Sequence, residues 1–259
     1  MLAVERRKRI LEKVYEEKKV IVSGLSKEFK VSEETIRRDL EKLAEEGHII
    51  KSYGGAVINE IGNIDLPFNV RWKSNTLGKQ KIAELIREEI KDGDHLFLDA
   101  STTAVFIAKN IKMKKHLTIL TNSIENLLEL SDVSGWDIIS TGGLLKAGSM
   151  ALVGKKASDS IEGYHAEKLF FSCKGLDLEK GVLEGNDEMA GIKQSMIQSA
   201  ARVYLAVDSS KFDKVAFSRI CPLSRLDVIV TDQKPEERWM QVMEEYGIQC
   251  IYDKRKEWE

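Results

Sequence analysis

Val31-Ser32-Glu33-Glu34-Thr35-Ile36-Arg37-Arg38-Asp39-Leu40, continuing into Glu41-Lys42-Leu43-Ala44, is the stretch from which the rest of the chain is read. Ser32 is a favoured N-cap, its hydroxyl accepting from first-turn N–H groups, and Glu33 and Glu34 complement the positive end of a helix dipole. The pattern predicts a helix from about Glu33. At about 100° per residue, Ile36, Leu40 and Leu43 share one face, Glu34, Arg38 and Lys42 point away, and Thr35 and Arg37 flank the stripe. One face packs and the other presents hydrogen-bond donors. Taken alone, the segment also fits an ordinary solvated charged face.

Its neighbours narrow the reading. Ser23 to Lys30 predicts a short helix with Leu25 and Phe29 four apart, and the break at Val31 gives helix-turn-helix spacing. Downstream, Gly54-Gly55 is expected to supply the two positive-φ residues of a type I′ turn between Ile49-Ile50 and Ala56-Val57-Ile58, with Lys51 and Tyr53 on the arms. Upstream, Val4 to Glu17 predicts a helix with Arg7, Ile10, Leu11 and Val14 at helical spacing. Arg6, Lys8, Arg9 and Lys13 surround that stripe, either as phosphate contacts or as solvated charges. Val20-Ile21-Val22 is a short β-rich link. Helix, turn, helix and basic wing make a winged DNA-binding module.

The run Val31 to Leu40, together with Tyr53-Gly54-Gly55-Ala56, closely resembles the DNA-binding signature of the DeoR family of bacterial sugar-operon regulators. The resemblance implies that Arg37 and Arg38 stand on a helix lying in the major groove of double-stranded operator DNA. Arginine is independently suited to bidentate contact with guanine or phosphate, and threonine to either a base edge or a phosphate. The residues assigned to DNA are Ser32, Thr35, Arg37, Arg38, Lys42, Lys51 and Tyr53.

The chain of 259 residues is long enough for two domains, and its 42% hydrophobic and 32% charged composition, with only three prolines, argues against extensive disorder. Met1-Leu2-Ala3-Val4 runs at once into charges and the apolar runs are of strand length, so a cytoplasmic protein without membrane partner is expected. Cys173, Cys221 and Cys250 are odd in number and far apart, which suggests buried thiols rather than disulfides or zinc ligands. His48, His95, His116 and His165 lack ligand spacing; no metal or cofactor is expected. Residues 1–58 carry 13 Lys/Arg against 11 Asp/Glu, too small an excess to argue for DNA by charge alone.

Asn59 to Gly78, with its glycines, asparagines and Pro67, lacks periodicity and is read as a linker. Leu66-Pro67-Phe68 with Arg71 resembles a family feature there, either docked or a plain tether. From Lys79 a helix opens a second domain built on a repeated phrase, an apolar strand ending in small polar residues. Leu96-Phe97-Leu98 leads to Asp99-Ala100-Ser101-Thr102-Thr103, and Leu117 to Leu120 leads to Thr121-Asn122-Ser123. Ile138-Ile139 leads to Gly142-Gly143, and Leu169-Phe170-Phe171 to Lys174-Gly175. Val203 to Val207 leads to Asp208-Ser209-Ser210-Lys211, and Val228-Ile229-Val230 to Thr231-Asp232. The tail predicts a helix from Pro235 to Tyr246, stopped at Gly247, and a last strand from Ile248 to Tyr252. The fold class is therefore α/β: a winged helix-turn-helix over residues 1–58, a linker over 59–78, and a larger, mostly parallel sheet with helices on both faces over 79–259.

In such sheets ligands bind beyond the carboxyl ends of the strands. Ser101, Thr102 and Thr103 open a helix and offer hydroxyls beside its N–H groups, as an anion site or as plain capping. Asp99, Asn122, Asp208 and Lys211 suit sugar hydroxyls, and Lys174 or Lys211 suits a phosphate. The region of about 79–232 resembles the family's sensor domain, which is similar to sugar-phosphate isomerases. The resemblance implies a phosphorylated-sugar effector at Asp99, Ser101, Thr102, Thr103, Thr121, Asn122, Gly142, Gly143, Lys174, Asp208 and Lys211, with Glu188 and Lys193 on a supporting helix. Where the family has glycine, this chain has Ser101. Gly148 to Lys156 does not meet the spacing of a phosphate-binding P-loop. The function expected is a transcriptional regulator, a repressor of a sugar-utilisation operon, acting as a homo-oligomeric dimer or tetramer. The alternatives are an isomerase-like enzyme carrying a DNA-binding domain, with Glu188, Asp208, Lys174 and Lys211 as acid and base types, and a constitutive DNA-binding protein whose second domain only oligomerises.

Overall fold

The computed structural model describes residues 1–45, 49–58, 68–146 and 148–253, which form two compact units, Met1–Ser74 and Asn75–Glu259. In the first unit, α1 (Ala3–Glu17) is followed by β1 (Lys19–Ile21), α2 (Val22–Phe29) and α3 (Glu33–Glu45). Then come β2 (Ile49–Ser52), β3 (Gly55–Ile58) and the short α4 (Phe68–Lys73). Ile10, Leu11 and Val14 of α1 close over Leu25, Ile36, Leu40 and Leu43, joined by Ile49 and Ala56 of the wing and Val70 of α4. The tight link between α2 and α3 is made by Lys30 in the left-handed region (φ 54°) and by the Ser26 hydroxyl, which donates to Val31 O at 2.6 Å. Ser32 Oγ then accepts from Thr35 N at 3.2 Å, so the helix starts where the cap dictates.

The wing differs from expectation in one respect. The strands pair Ser52 with Gly55, so the turn residues are Tyr53 and Gly54. Among them only Gly54 has positive φ, 78°, whereas a type I′ turn requires it at both positions. Gly55 is glycine for a different reason. β3 lies between β1 and β2, and a Cβ at Gly55 would stand 2.0 Å from Val20 O. Close approach of a neighbouring strand demands the glycine, not the turn.

Of the segment read as a linker, 59–67 lies outside the described residues. Residues 68–73 form α4, which packs on α1 through Val70; Asn69 Nδ2 and Lys73 Nζ donate to Glu12 at 3.0 and 2.6 Å. Residues from Thr76 already belong to α5 of the second unit.

The second unit is built on α5 (Thr76–Glu89), β4 (His95–Leu98), α6 (Thr102–Asn110), β5 (Thr118–Thr121), α7 (Ile124–Leu130) and β6 (Asp137–Ser140). A hairpin, β7 (Leu144–Lys146) and β8 (Ala151–Val153), leads to α8 (Lys155–Glu162) and β9 (Ala166–Phe171). After β10 (Gly175–Asp177) and β11 (Gly181–Glu184) come α9 (Asp187–Gln198), β12 (Ala200–Ala206), β13 (Ser218–Cys221) and β14 (Val228–Val230). The chain ends its described part with α10 (Glu237–Glu245) and β15 (Gln249–Ile251). Seven strands make one parallel sheet in the order β15-β14-β12-β9-β4-β5-β6.

Its central strands are apolar on both sides, as a sheet covered on both faces requires. Phe97, Leu169, Phe171 and Leu205 pack with Ala157 and Ile161 of α8, Met189 and Met196 of α9 and Trp239 of α10. On the opposite face the Phe170 and Tyr204 rings lie 4.7 Å apart, and the Tyr204 hydroxyl donates to Glu89 of α5 at 3.1 Å. The sheet β10-β11-β13 and the hairpin β7-β8 are antiparallel additions.

Candidate functional site

In the first unit, the buried stripe of α3 leaves Arg37 and Arg38 on the outside, their side chains 57% and 78% exposed. Lys42 is exposed, Thr35 is half-buried, and Tyr53 stands fully exposed at the wing tip. Three cations of this face have a carboxylate beside them. Arg37 Nη2 lies 2.6 Å from Glu33, Arg38 Nε 3.5 Å from Glu34, and Lys51 Nζ 2.9 Å from Glu41, a pair that ties the wing to the helix. The Lys51 ammonium holds the Glu41 carboxyl below its ordinary pKa. Ser32 is committed to the cap, and its hydroxyl also lies 2.9 Å from that of Thr35.

Two expectations for α1 are corrected. Arg6 is neither a phosphate contact nor solvated: it is 7% exposed, and its Nε lies 2.5 Å from Oδ2 of Asp39, itself 3% exposed. It is Arg6, four residues before Ile10 and eight before Val14, that continues the buried face, while Arg7 stands at the rim, 3.7 Å from Asp39 Oδ1. Asp39 sits 60° from Ile36 on the helix wheel, by the 100° rule. That position was the available signal that it faces inward.

In the second unit all seven parallel strands present their carboxyl ends along one edge. The strand order reverses between β4 and β9, so the switch-point crevice lies between Asp99 and Ser172. Asp99 is 1% exposed. Its Oδ1 accepts from Ser101 N and its Oδ2 from Ser172 N, each at 3.1 Å. Beneath it lies Lys193, 3% exposed, whose ammonium donates to Ser172 O at 2.8 Å, contacts Glu184 and stands 3.4 Å from Asp99 Oδ2. Burial alone would depress the Lys193 pKa, but the Glu184 and Asp99 carboxylates outweigh it and raise the value, so the lysine is a cation. The sequence reading had placed Lys193 only in support and had missed Glu184. A lysine four residues after Met189 and three before Met196, in the buried stripe of α9, was the signal.

The other assigned residues are distributed along the edge. Ser101 is buried and its Oγ caps α6 by accepting from Ala104 N at 3.0 Å, so its side chain is turned onto its own helix. Thr102 and Thr103 are buried in the first turn. Thr121 Oγ1 donates to Leu98 O at 2.7 Å, and Asn122 Nδ2 to Leu152 O at 3.0 Å. Asn122 Oδ1 and Asn126 Oδ1 find no partner among the described residues. Gly142 and Gly143 are exposed with φ 63° and 109° at the end of β6. Asp208, after β12, is 3% exposed; burial raises its pKa, but Lys211, Ser210 and Asn75 together hold it below the ordinary value. Lys174 and Lys211 are half-buried. Glu188 is exposed and pairs with Lys146, well apart in role from Lys193. With about 4.8 Å between strands, the row from β6 to β12 spans about 19 Å. The residues nearest the switch point are Asp99, Ser101 to Thr103, Ser172 and Lys193, with Asp208 and Lys211 one strand beyond.

Burial pushes the Cys173 and Cys221 thiols up to about 12, which makes them inert packing groups. Among the described residues no group of three or more His, Cys, Asp or Glu is placed to hold a metal ion, and no helix is long and apolar enough to cross a membrane.

A winged helix-turn-helix with exposed arginines on its second helix, followed by a parallel α/β unit with a polar switch point, defines a DNA-binding regulator with a ligand-sensing type of second domain. The comparisons agree at both ends of the chain. Residues 6–61 match the DeoR-like helix-turn-helix domain and residues 74–233 the DeoR C terminal sensor domain. The HTH-type transcriptional regulator YulB of Bacillus subtilis (strain 168) is 40% identical over 232 residues, 90% of each chain. The glycerol-3-phosphate regulon repressor of Escherichia coli (strain K12) is 30% identical over 96% of this chain and 98% of its own. A solved structure, ribose 5-phosphate isomerase A of Methanocaldococcus jannaschii, covers 52% of this chain and 53% of its own at 14% identity, with a TM-score of 0.37. The chain belongs to the DeoR family of transcriptional regulators.

Proposed function

We propose that the protein represses a carbohydrate-utilisation operon in the cytoplasm, as a homodimer or tetramer, and releases its operator when a phosphorylated sugar binds the strand ends of the second unit. The observation that carries the DNA half is the facing of α3: its apolar stripe is buried in the core while Arg37, Arg38 and Lys42 stand outside. Thr35, Arg37, Arg38 and Lys42 read or grip the duplex from the helix, Lys51 and Tyr53 from the wing, and Ser32 fixes the helix start. The effector half is supported by the switch-point crevice and by the name of a relative, a glycerol-3-phosphate regulon repressor. Asp99, Ser101, Thr102, Thr103, Thr121 and Asn122 shape the cleft, Gly142 and Gly143 flank it, and Lys174, Asp208 and Lys211 supply charge on the other side.

Binding rather than turnover suits this cleft. The relatives that match over 90% or more of this chain are named as transcriptional regulators, which supports binding over turnover at these acid and base types.

Fluorescence anisotropy at fixed salt, on a duplex enriched from a random pool by the protein, tests both halves. Arg38→Ala is expected to lose about 1–3 kcal/mol on that duplex and to relax preference at one base pair if Arg38 reads a base. Adding phosphorylated sugars one at a time, beginning with glycerol 3-phosphate, is expected to find one that weakens DNA binding about 5- to 150-fold, with the duplex weakening the sugar phosphate by the same factor. Lys211→Ala is expected to bind the duplex normally yet need more sugar phosphate for release. A sugar phosphate that binds tightly and leaves DNA affinity untouched contradicts the proposal, and one that is turned over establishes an enzyme instead.

A further inference from the structure

The helix that faces DNA is not basic. From Glu33 to Glu45 it carries five acids, Glu33, Glu34, Asp39, Glu41 and Glu45, against three bases, Arg37, Arg38 and Lys42. Asp39 is accounted for by its buried pair with Arg6. Three of the remaining four lie against the cations that the DNA reading uses: Glu33 on Arg37, Glu34 on Arg38, Glu41 on Lys51. Their ion pairs add little to folding. All three carboxylates are 46% to 64% exposed, and exposed pairs of this kind contribute little to stability. The helix dipole accounts for acids in the first turn, but not for Glu41, well beyond it, whose partner is on the wing.

We propose that Glu33, Glu34 and Glu41 are specificity-determining residues, carboxylates that hold the reading cations and so weaken binding to unmatched DNA. The inference rests on the reading of α3 as the DNA-facing helix. Unmatched duplex offers these cations phosphates alone, and its affinity comes from counterions displaced by uncompensated positive charge. A cation already neutralised by a neighbouring carboxylate displaces little, and the carboxylate itself is brought within a Debye length of the phosphates. A matched duplex offers in addition a bidentate base edge, which offsets the exchange of partners. The acids therefore subtract more from non-specific than from specific affinity.

The test measures binding of full-length protein to the enriched duplex and to a scrambled duplex of equal length, across a salt series. Glu34→Gln and Glu41→Gln keep side-chain shape and remove one charge each. Each is expected to raise scrambled-duplex affinity roughly three- to tenfold, steepen its salt slope by up to about one unit, and change enriched-duplex affinity less, with the thermal midpoint unmoved. Asp159→Asn, which breaks an exposed pair with Lys155 at the same i,i+4 spacing in the second unit, is expected to change neither. Equal gains on both duplexes, no gain on the scrambled one, or the same gain from Asp159→Asn each overturn the proposal. Arg37→Ala and Arg38→Ala measured alongside separate the two readings: if neither weakens binding, α3 is not the reading helix. If both do while the glutamine variants leave the ratio of affinities unchanged, the reading stands and this inference fails.

Discussion

Lys193→Met is expected to destabilise the second unit by about 3–5 kcal/mol at neutral pH, because it leaves two carboxylates, Asp99 and Glu184, in a buried site without their cation. For a unit of this size the thermal midpoint should fall by about 6–20 °C. In the wild-type unit the folded-state pKa of Lys193 lies above its ordinary 10.5. Its contribution is therefore complete below that pH and is lost only as pH rises through the folded value. In the variant the sign reverses. Buried carboxylates without a cation have raised folded pKa values, so the deficit should be largest at neutral pH and shrink on acidification toward about pH 4. Adding Glu184→Gln, which removes one of the two unpaired charges, should recover part of the loss. A calorimetric scan of Lys193→Met that overlays the wild type at pH 7 would show that the cluster is not holding the switch point together.

The second large effect belongs to the first unit. Arg6→Met strips Asp39 of its nearest cation, leaving Arg7 at 3.7 Å as an incomplete substitute. A loss of about 3 kcal/mol is a large share of the roughly 4–11 kcal/mol that a 74-residue unit has in total. The expected outcome is a first-unit unfolding transition, and with it loss of DNA binding, at clearly lower denaturant with the second unit's transition intact, followed by denaturant titration of the full chain with tryptophan fluorescence and anisotropy together. Arg6→Met with Asp39→Leu should restore stability to within about 1 kcal/mol, since an apolar pair of similar volume replaces the ions. An Arg6→Met protein that binds DNA with unchanged affinity and unfolds at the wild-type denaturant concentration would refute the role assigned to the pair.

These residues show where the sequence is sufficient and where it is not. Ser32 as cap, Ile36, Leu40 and Leu43 as buried stripe, and Arg37 and Arg38 as exposed face all follow from helical periodicity, which is a local property of the chain. Six of the seven parallel strands are legible for the same reason: each is an apolar run closed by small polar residues, and in the central strands burial on both faces leaves a continuous apolar pattern. The DeoR membership rests on the same local stretches and on the matches that extend across the chain.

What the sequence could not settle is which polar groups find partners distant in the chain. Arg6 and Asp39 are 33 residues apart, Asp99 and Ser172 are 73 apart, and the three strands of the β10-β11-β13 sheet are assembled across an intervening helix and strand. Gly55 looked like a turn residue because Gly-Gly is a turn signal, but its identity is set by Val20 on a neighbouring strand. Local pattern fixes which face of an element is buried; only the packed structure brings another segment's charge or carbonyl against it. A buried polar group must be paired wherever the partner comes from, so sequence alone determined the helix-turn-helix, the strands of the parallel sheet and the family, and tertiary structure decided the added antiparallel strands, which charges are spent inside the fold and which remain for DNA and ligand.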